Sequence, residues 1–178
     1  TPTVPPTPTH PMMIEVMRQE DYPGSEIFFE QTLEPGVNYD RYIISYQSDG
    51  HKIYALFTVP WGEPPESGWP VILFNHGWIR PEDYRTTERY LDYVDAIARD
   101  GYIVLRSDYR GHGDTARPDD WQVDWERYGD DAVVAARAVA PDGGLVGFGH
   151  SMGGACLLMA AHREPDLFDL IVAFEPIV

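Results

Sequence analysis

Cysteine is almost missing from this chain. Cys156 is its one example in 178 residues, so no disulfide can form within the chain. Cations are scarce as well: lysine and arginine total 13 against 29 acidic residues, a net charge of −16 at pH 7. That balance leaves no basic stripe to displace counterions from nucleic acid and no attraction to an anionic membrane surface. Neither partner is expected. No apolar run approaches the roughly 20 residues that a membrane-spanning helix needs. Internal repeats are missing, and the six histidines stand singly or inside other motifs rather than at metal-ligand spacing. No metal and no cofactor is expected. The acidity is read as a source of solubility. Cys156, in a stretch rich in alanine and leucine, is read as a small core residue.

What is present suffices for one domain with a real core, since 43% of residues are hydrophobic and 13% aromatic. Residues 1–11 (TPTVPPTPTHP) are the one biased segment, and their composition favours extended, polyproline-like chain. They are read as a linker, and residues 12–178 as the domain. Such a tract suits the tether of an exported domain, and equally a fusion remnant; the expectation drawn from it is a secreted or cell-surface location.

Strand patterns open the domain. Met13–Met17 is a short possibility and Glu26–Thr32 a better one. Arg41–Gln47 and His51–Thr58 flank Ser48-Asp49-Gly50, and Asp-Gly between two β-rich runs signals a hairpin. After a loop over Pro60–Gly68 the pattern changes. Trp69–Asn75 is continuously apolar, as a strand buried on both faces would be. Pro81–Asp100 reads as a helix with Leu91, Val94, Ile97 and Ala98 on one stripe and Gly101 as its stop. Tyr102–Arg106 is the next strand. Asp124–Ala140 is a helix with Trp125, Tyr128, Ala132, Ala136 and Val139 on one face. Leu145–Phe148, preceded by Gly143-Gly144, is a strand, Ala155–Arg163 a helix ended by Pro165, and Leu170–Phe174 a last strand. Strands alternating with helices predict an α/β fold: a mostly parallel sheet flanked by helices, with an antiparallel hairpin at its N-terminal side.

The most informative stretch is Gly149-His150-Ser151-Met152-Gly153, a G-x-S-x-G pattern between a predicted strand and a predicted helix. A turn that sharp strains the serine backbone and tolerates only small neighbours. Gly149 and Gly153 supply them, and Gly154 adds room. The helix N-terminus points orphan N–H groups at the same spot. Ser151 is therefore the candidate nucleophile. Gly147, Gly149 and Gly153 do not have the spacing of a dinucleotide-binding turn.

The order hairpin, strand, His76-Gly77, helix, strand, Asp108-Tyr109-Arg110-Gly111-His112-Gly113, helix, strand, elbow, helix, strand resembles an α/β-hydrolase-fold serine hydrolase over residues 40 to 178. The resemblance implies an acyl-enzyme on Ser151, formed from a small carboxylic ester or amide, with esters ranked above peptides. It implies an oxyanion hole made by the backbone N–H groups of Met152 and Trp78, with Gly77 letting the backbone approach the substrate. Arg110–Gly113 would shape and brace the site. His112 is the tempting general base but is read as a brace, and His76 and His150 as structural parts of their motifs.

The rest of a triad is harder to find. In this fold the order is serine, then acid, then histidine. His162 follows Ser151 by eleven residues of helix, about 16 Å, too far to reach it. Of the later acids only Glu175, at the end of the last strand, would stand at the catalytic edge. The sequence thus reads as a hydrolase truncated after the strand that follows the elbow, with the C-terminal part of the fold missing. The alternative is a non-catalytic fragment, or a recombined or engineered scaffold lacking the triad acid and histidine, with a seam near His112–Asp114. Leu170–Phe174 would end the sheet as a bare apolar edge, so either further strands of a longer chain, or a second copy or partner chain, are expected to cover it.

Overall fold

Asp49 and Gly50 both take positive φ, 48° and 73°, the backbone of a two-residue hairpin turn matched to strand twist. They close β2 (Tyr39–Ser48) onto β3 (His51–Pro60), antiparallel and in register from Ser48 opposite His51 to Tyr39 opposite Pro60. The structure, a computed structural model, describes residue 16 and residues 18–117, 125–140 and 144–176. The linker over residues 1–11, the strand expected over Met13–Met17 apart from Val16, Asp124, the Trp125 side chain and Gly143 lie outside the described residues.

β1 (Phe28–Leu33) pairs antiparallel with β2 and carries a bulge between Phe29 and Gln31. The apolar strands then assemble as expected from their composition: β4 (Val71–Asn75), buried at all five positions, β5 (Ile103–Ser107), β6 (Leu145–His150) and β7 (Leu170–Phe174). The seven strands form one mixed sheet in the order β1-β2-β3-β5-β4-β6-β7. Its front, through the β3–β5 pairing, is antiparallel, and β5, β4, β6 and β7 run parallel.

Alternation along the strands builds two cores, because neighbouring residues point to opposite faces. On one face Leu56, Phe74 and Val104 meet Val94 and Ala98 of α1 (Leu91–Arg99), with Leu91 and Ile97 packed around them. On the other, Ile44, Ile53, Leu73 and Leu105 meet α2 (Trp125–Val139) through Ala132, Val133 and Ala136, and α3 (Met152–Arg163) through Leu157 and Ala160. This is an α/β-hydrolase fold.

One expected element is corrected. The helix over Pro81–Asp100 begins only at Leu91; before it lie a short 3-10 turn, Pro81–Asp83, and an extended loop. Arg89 and Tyr90 adopt left-handed backbone, φ 57° and 52°, which no helix can run through. Two other elements are longer than their sequence patterns. β6 continues to His150, and α3 starts at Met152, so nothing but Ser151 separates them. β7 does end the sheet, with Leu170, Val172 and Phe174 exposed by 57%, 40% and 52%.

Candidate active site

Because β4, β5, β6 and β7 are parallel, their C-terminal ends share one edge of the sheet, where open α/β sheets place their sites. The segments after Asn75, Ser107, His150 and Phe174 therefore converge. Ser151 sits between β6 and α3 with φ 52° and ψ −119°, a conformation that costs a non-glycine residue about 1–3 kcal/mol. The surroundings over-determine it. Its N–H donates to the Phe174 carbonyl at 2.9 Å, and its own carbonyl accepts from the Gly154 and Ala155 N–H groups at 3.0 and 3.3 Å.

Small residues at the flanks are a steric requirement. A Cβ on Gly149 would stand 2.6 Å from the backbone of Gly153. One on Gly153 would overlap the Asn75 carbonyl, closer than any real Cβ contact, and would crowd the His76 carbonyl at 2.7 Å. The start of α3 is thus pressed against the end of β4. Met152 is buried while Ser151 is partly exposed, and the N–H groups of the first helical turn have no acceptor within the helix.

The turn after β4 is fixed from below. His76 Nδ1 donates to the Gly77 carbonyl at 2.8 Å. In a trans peptide the C=O and the following N–H point in opposite directions, so the Trp78 N–H is aimed away from the buried His76 ring. The Gly77 N–H is already engaged, donating to the Tyr90 hydroxyl at 3.1 Å. His76 itself is sandwiched by Tyr84 and Tyr109, each at 4.4 Å between ring centroids, and the Tyr109 hydroxyl donates to its carbonyl at 2.7 Å. Burial pushes the His76 pKa well below the usual value, so the ring is neutral. His112 is buried too, and burial likewise lowers its pKa. Its Nε2 donates to the Ile79 carbonyl at 2.8 Å, and the Trp78 ring meets it edge-on at 5.3 Å. Both histidines therefore hold backbone carbonyls of the 77–79 turn. Arg110 is tied into a buried ion pair with Asp131 at 2.7 Å.

His150, read as a structural part of its motif, and His162 and Glu175, considered for the rest of a triad, fall as follows. The His150 side chain turns to the α1 face, where Nδ1 meets the Tyr90 hydroxyl at 2.8 Å and the ring stacks on Phe174 at 5.6 Å. His162 is exposed at the far end of α3 and bonds the Leu158 carbonyl one turn back. Glu175 is exposed, with φ 47°, directly after the Phe174 carbonyl that accepts from Ser151.

A buried polar cluster was not legible in the sequence. Arg106 is fully buried and donates to the carbonyls of Thr86, Glu88 and Arg89. Asp108 accepts from the Tyr84 hydroxyl at 2.8 Å and from Thr86 Oγ1 at 2.5 Å. These bonds hold the loop before α1. A charged pair at the end of an apolar strand was the one signal available, alongside the lack of any apolar stripe over residues 81–90.

Burial raises the Asp108 pKa to about 7, against the opposing pull of the two hydroxyls and Arg106. A carboxyl with a folded-state pKa above its unfolded value of 3.8 contributes stability that is full below about pH 4 and is lost as pH rises through about 7. Between pH 5 and pH 8 the melting temperature of the wild type is expected to fall more than that of Asp108→Asn, as followed by circular dichroism. Equal slopes would contradict a buried carboxyl that loses its proton in this range.

Comparison with known proteins agrees with the architecture. A family model described as Serine aminopeptidase, S33 matches residues 70–178. The fold is similar to that of the acetyl xylan esterase from Paenibacillus sp. R4, with a TM-score of 0.65 and 20% identity over 90% of this chain and 57% of that one. It is similar to the α/β hydrolase GrgF from Penicillium sp. sh18, with a TM-score of 0.64 and 16% identity over 78% and 46%. Brefeldin A esterase, a bacterial homologue of human hormone sensitive lipase, follows with a TM-score of 0.61 and 20% identity over 84% and 44%. Likeness at these identities establishes the fold alone. The chain spans roughly half the length of these proteins. No curated protein sequence matches it.

Proposed function

The chain belongs to the family described as serine aminopeptidase, S33, and from that premise we propose that it acts as a serine hydrolase on small carboxylic esters or amides, through an acyl-enzyme on Ser151. The observation that carries the proposal is the backbone of Ser151. A strained φ of 52° between β6 and α3, held by hydrogen bonds to Phe174, Gly154 and Ala155, is energy stored to present one hydroxyl at the sheet edge.

In this mechanism Ser151 Oγ gives its proton to solvent as it attacks the substrate carbonyl carbon, and the tetrahedral intermediate collapses by breaking the ester or amide bond, the alcohol or amine leaving with a proton from water. The negative charge on the carbonyl oxygen is met by two backbone donors, Met152 N–H at the start of α3 and Trp78 N–H in the turn after β4. Gly149 and Gly153 allow the elbow to close, Gly77 keeps the turn free of a side chain, and the Trp78 ring walls the site. Water then releases the acid. Among the described residues the geometry assigns no proton acceptor to Ser151. Glu175, which directly follows the Phe174 carbonyl that accepts from the Ser151 N–H, is the candidate for an orienting acid.

The ester reading follows the names of two similar folds, the acetyl xylan and brefeldin A esterases, and the amide reading stays beside it because the family is named for an aminopeptidase. The expected result is a burst of p-nitrophenol from p-nitrophenyl acetate, stoichiometric with the chain, followed by slow turnover. Release no different from that of Ser151→Ala would contradict the acyl-enzyme. The second reading, a hydrolase fold without turnover, is favoured by one observation: His162 is pinned to Leu158, far from Ser151.

The exposed face of β7 supports one further expectation, that a second chain covers it. Leu170, Val172 and Phe174 are exposed together on an edge strand, an arrangement that promotes pairing. Light scattering should find a concentration-dependent rise in mass that Val172→Lys abolishes. A wild type that stays monomeric at high concentration would sink the idea.

A further inference from the structure

Two consecutive non-glycine residues in left-handed backbone, Arg89 and Tyr90, stand immediately before α1. Such conformations persist only where the surroundings enforce them. Here the Arg106 guanidinium does so from within the core, donating to the carbonyls of Thr86, Glu88 and Arg89, while Asp108 anchors Tyr84 and Thr86. A buried charged strut under a strained loop needs a purpose, and the loop delivers one group: the Tyr90 hydroxyl.

That hydroxyl is a joint between two strands. It accepts from the Gly77 N–H at 3.1 Å and meets His150 Nδ1 at 2.8 Å. With one proton and two lone pairs the hydroxyl can accept from Gly77 and pair with Nδ1 at the same time, whichever imidazole tautomer is present. Gly77 is the turn residue after β4, and His150 is the last residue of β6, next to Ser151. The joint leaves no space between them: a Cβ on Gly77 would stand 2.8 Å from His150 Nδ1 and 2.9 Å from the Tyr90 oxygen. Burial raises the Tyr90 pKa, so the hydroxyl keeps its proton.

We propose that Tyr90 is a positioning residue, whose hydroxyl holds the Gly77–Trp78 turn in register with the Ser151 elbow so that the Trp78 and Met152 N–H groups face one oxygen. The proposal rests on the acyl-enzyme reading of Ser151 and deepens it. Preorganised donors of this kind lose effect when their spacing loosens by fractions of an ångström.

Tyr90→Phe removes the hydroxyl and keeps the ring contact with Phe74, 5.5 Å between centroids. Tyr93→Phe, one turn along α1, is the control. Three readouts on the full chain separate positioning from mere packing: the rate of phosphonylation by an alkyl fluorophosphonate, kcat and KM on p-nitrophenyl acetate, and amide exchange at Gly77 by NMR. Tyr90→Phe is expected to slow phosphonylation at least about tenfold and to lower kcat with KM nearly unchanged. Gly77 exchange should accelerate by about tenfold or more, while Tyr93→Phe behaves as wild type. A reactive wild type with an unaffected Tyr90→Phe overturns this role alone. A wild type that resists the probe overturns the acyl-enzyme reading, and the positioning role with it.

Discussion

Replacing Ser151 with alanine is expected to abolish the burst of p-nitrophenol completely and to lower the slow ester turnover that follows it, with the fold unchanged. The loss follows from the chemistry: without Oγ no acyl-enzyme forms, and only the oxyanion donors and binding remain to assist water. The stability of the variant follows from the backbone. Alanine meets the same left-handed strain as serine at φ 52°, the bonds to Phe174, Gly154 and Ala155 are all made by main-chain atoms, and Ser151 is partly exposed. The melting temperature should therefore move by no more than about 2 °C. Turnover that survives undiminished would place the chemistry elsewhere.

Gly153→Ala is expected to have the largest effect on stability. Its new methyl would occupy the space of the Asn75 carbonyl and press on that of His76. Both obstacles are backbone, one of them the end of a wholly buried strand, so neither can swing aside as a flexible side chain would. Relief requires α3 to move off β4 and the elbow to open. A cost of about 3 kcal/mol, roughly 10 °C in melting temperature for a domain this size, is expected by calorimetry. Gly154→Ala makes a graded comparison, because its Cβ would stand 3.0 Å from the Pro176 side chain and in ordinary contact, at 3.4 Å, with the Ala173 side chain and the Gly149 carbonyl. It should cost clearly less. Equal losses would mean that the close approach at Gly153 is not what the elbow depends on.

Much of this fold was legible because its signals are local. Asp49-Gly50 names its turn, Val71–Asn75 declares burial on both faces, and the glycines around Ser151 mark a strand-to-helix turn with no room for side chains. The loop before α1 was misread as helix for a physical reason. What shapes it is a long-range force: Arg106 and Asp108, some twenty residues downstream, capture its carbonyls and hydroxyls, and that capture enforces the left-handed pair Arg89–Tyr90. No window of local pattern contains both ends of those bonds. Tyr90 went unnoticed with the loop, although its hydroxyl lies between the two motifs that the sequence does announce, His76-Gly77 and Gly149–Gly153.

The most direct measurement is to find where a covalent probe lands. Incubation of the full chain with an alkyl fluorophosphonate, followed by proteolysis and mass spectrometry, should yield one adduct per chain, on the peptide that contains Ser151, and none in Ser151→Ala. An unmodified chain, or an adduct on any other residue, would contradict the assignment of Ser151 as the nucleophile.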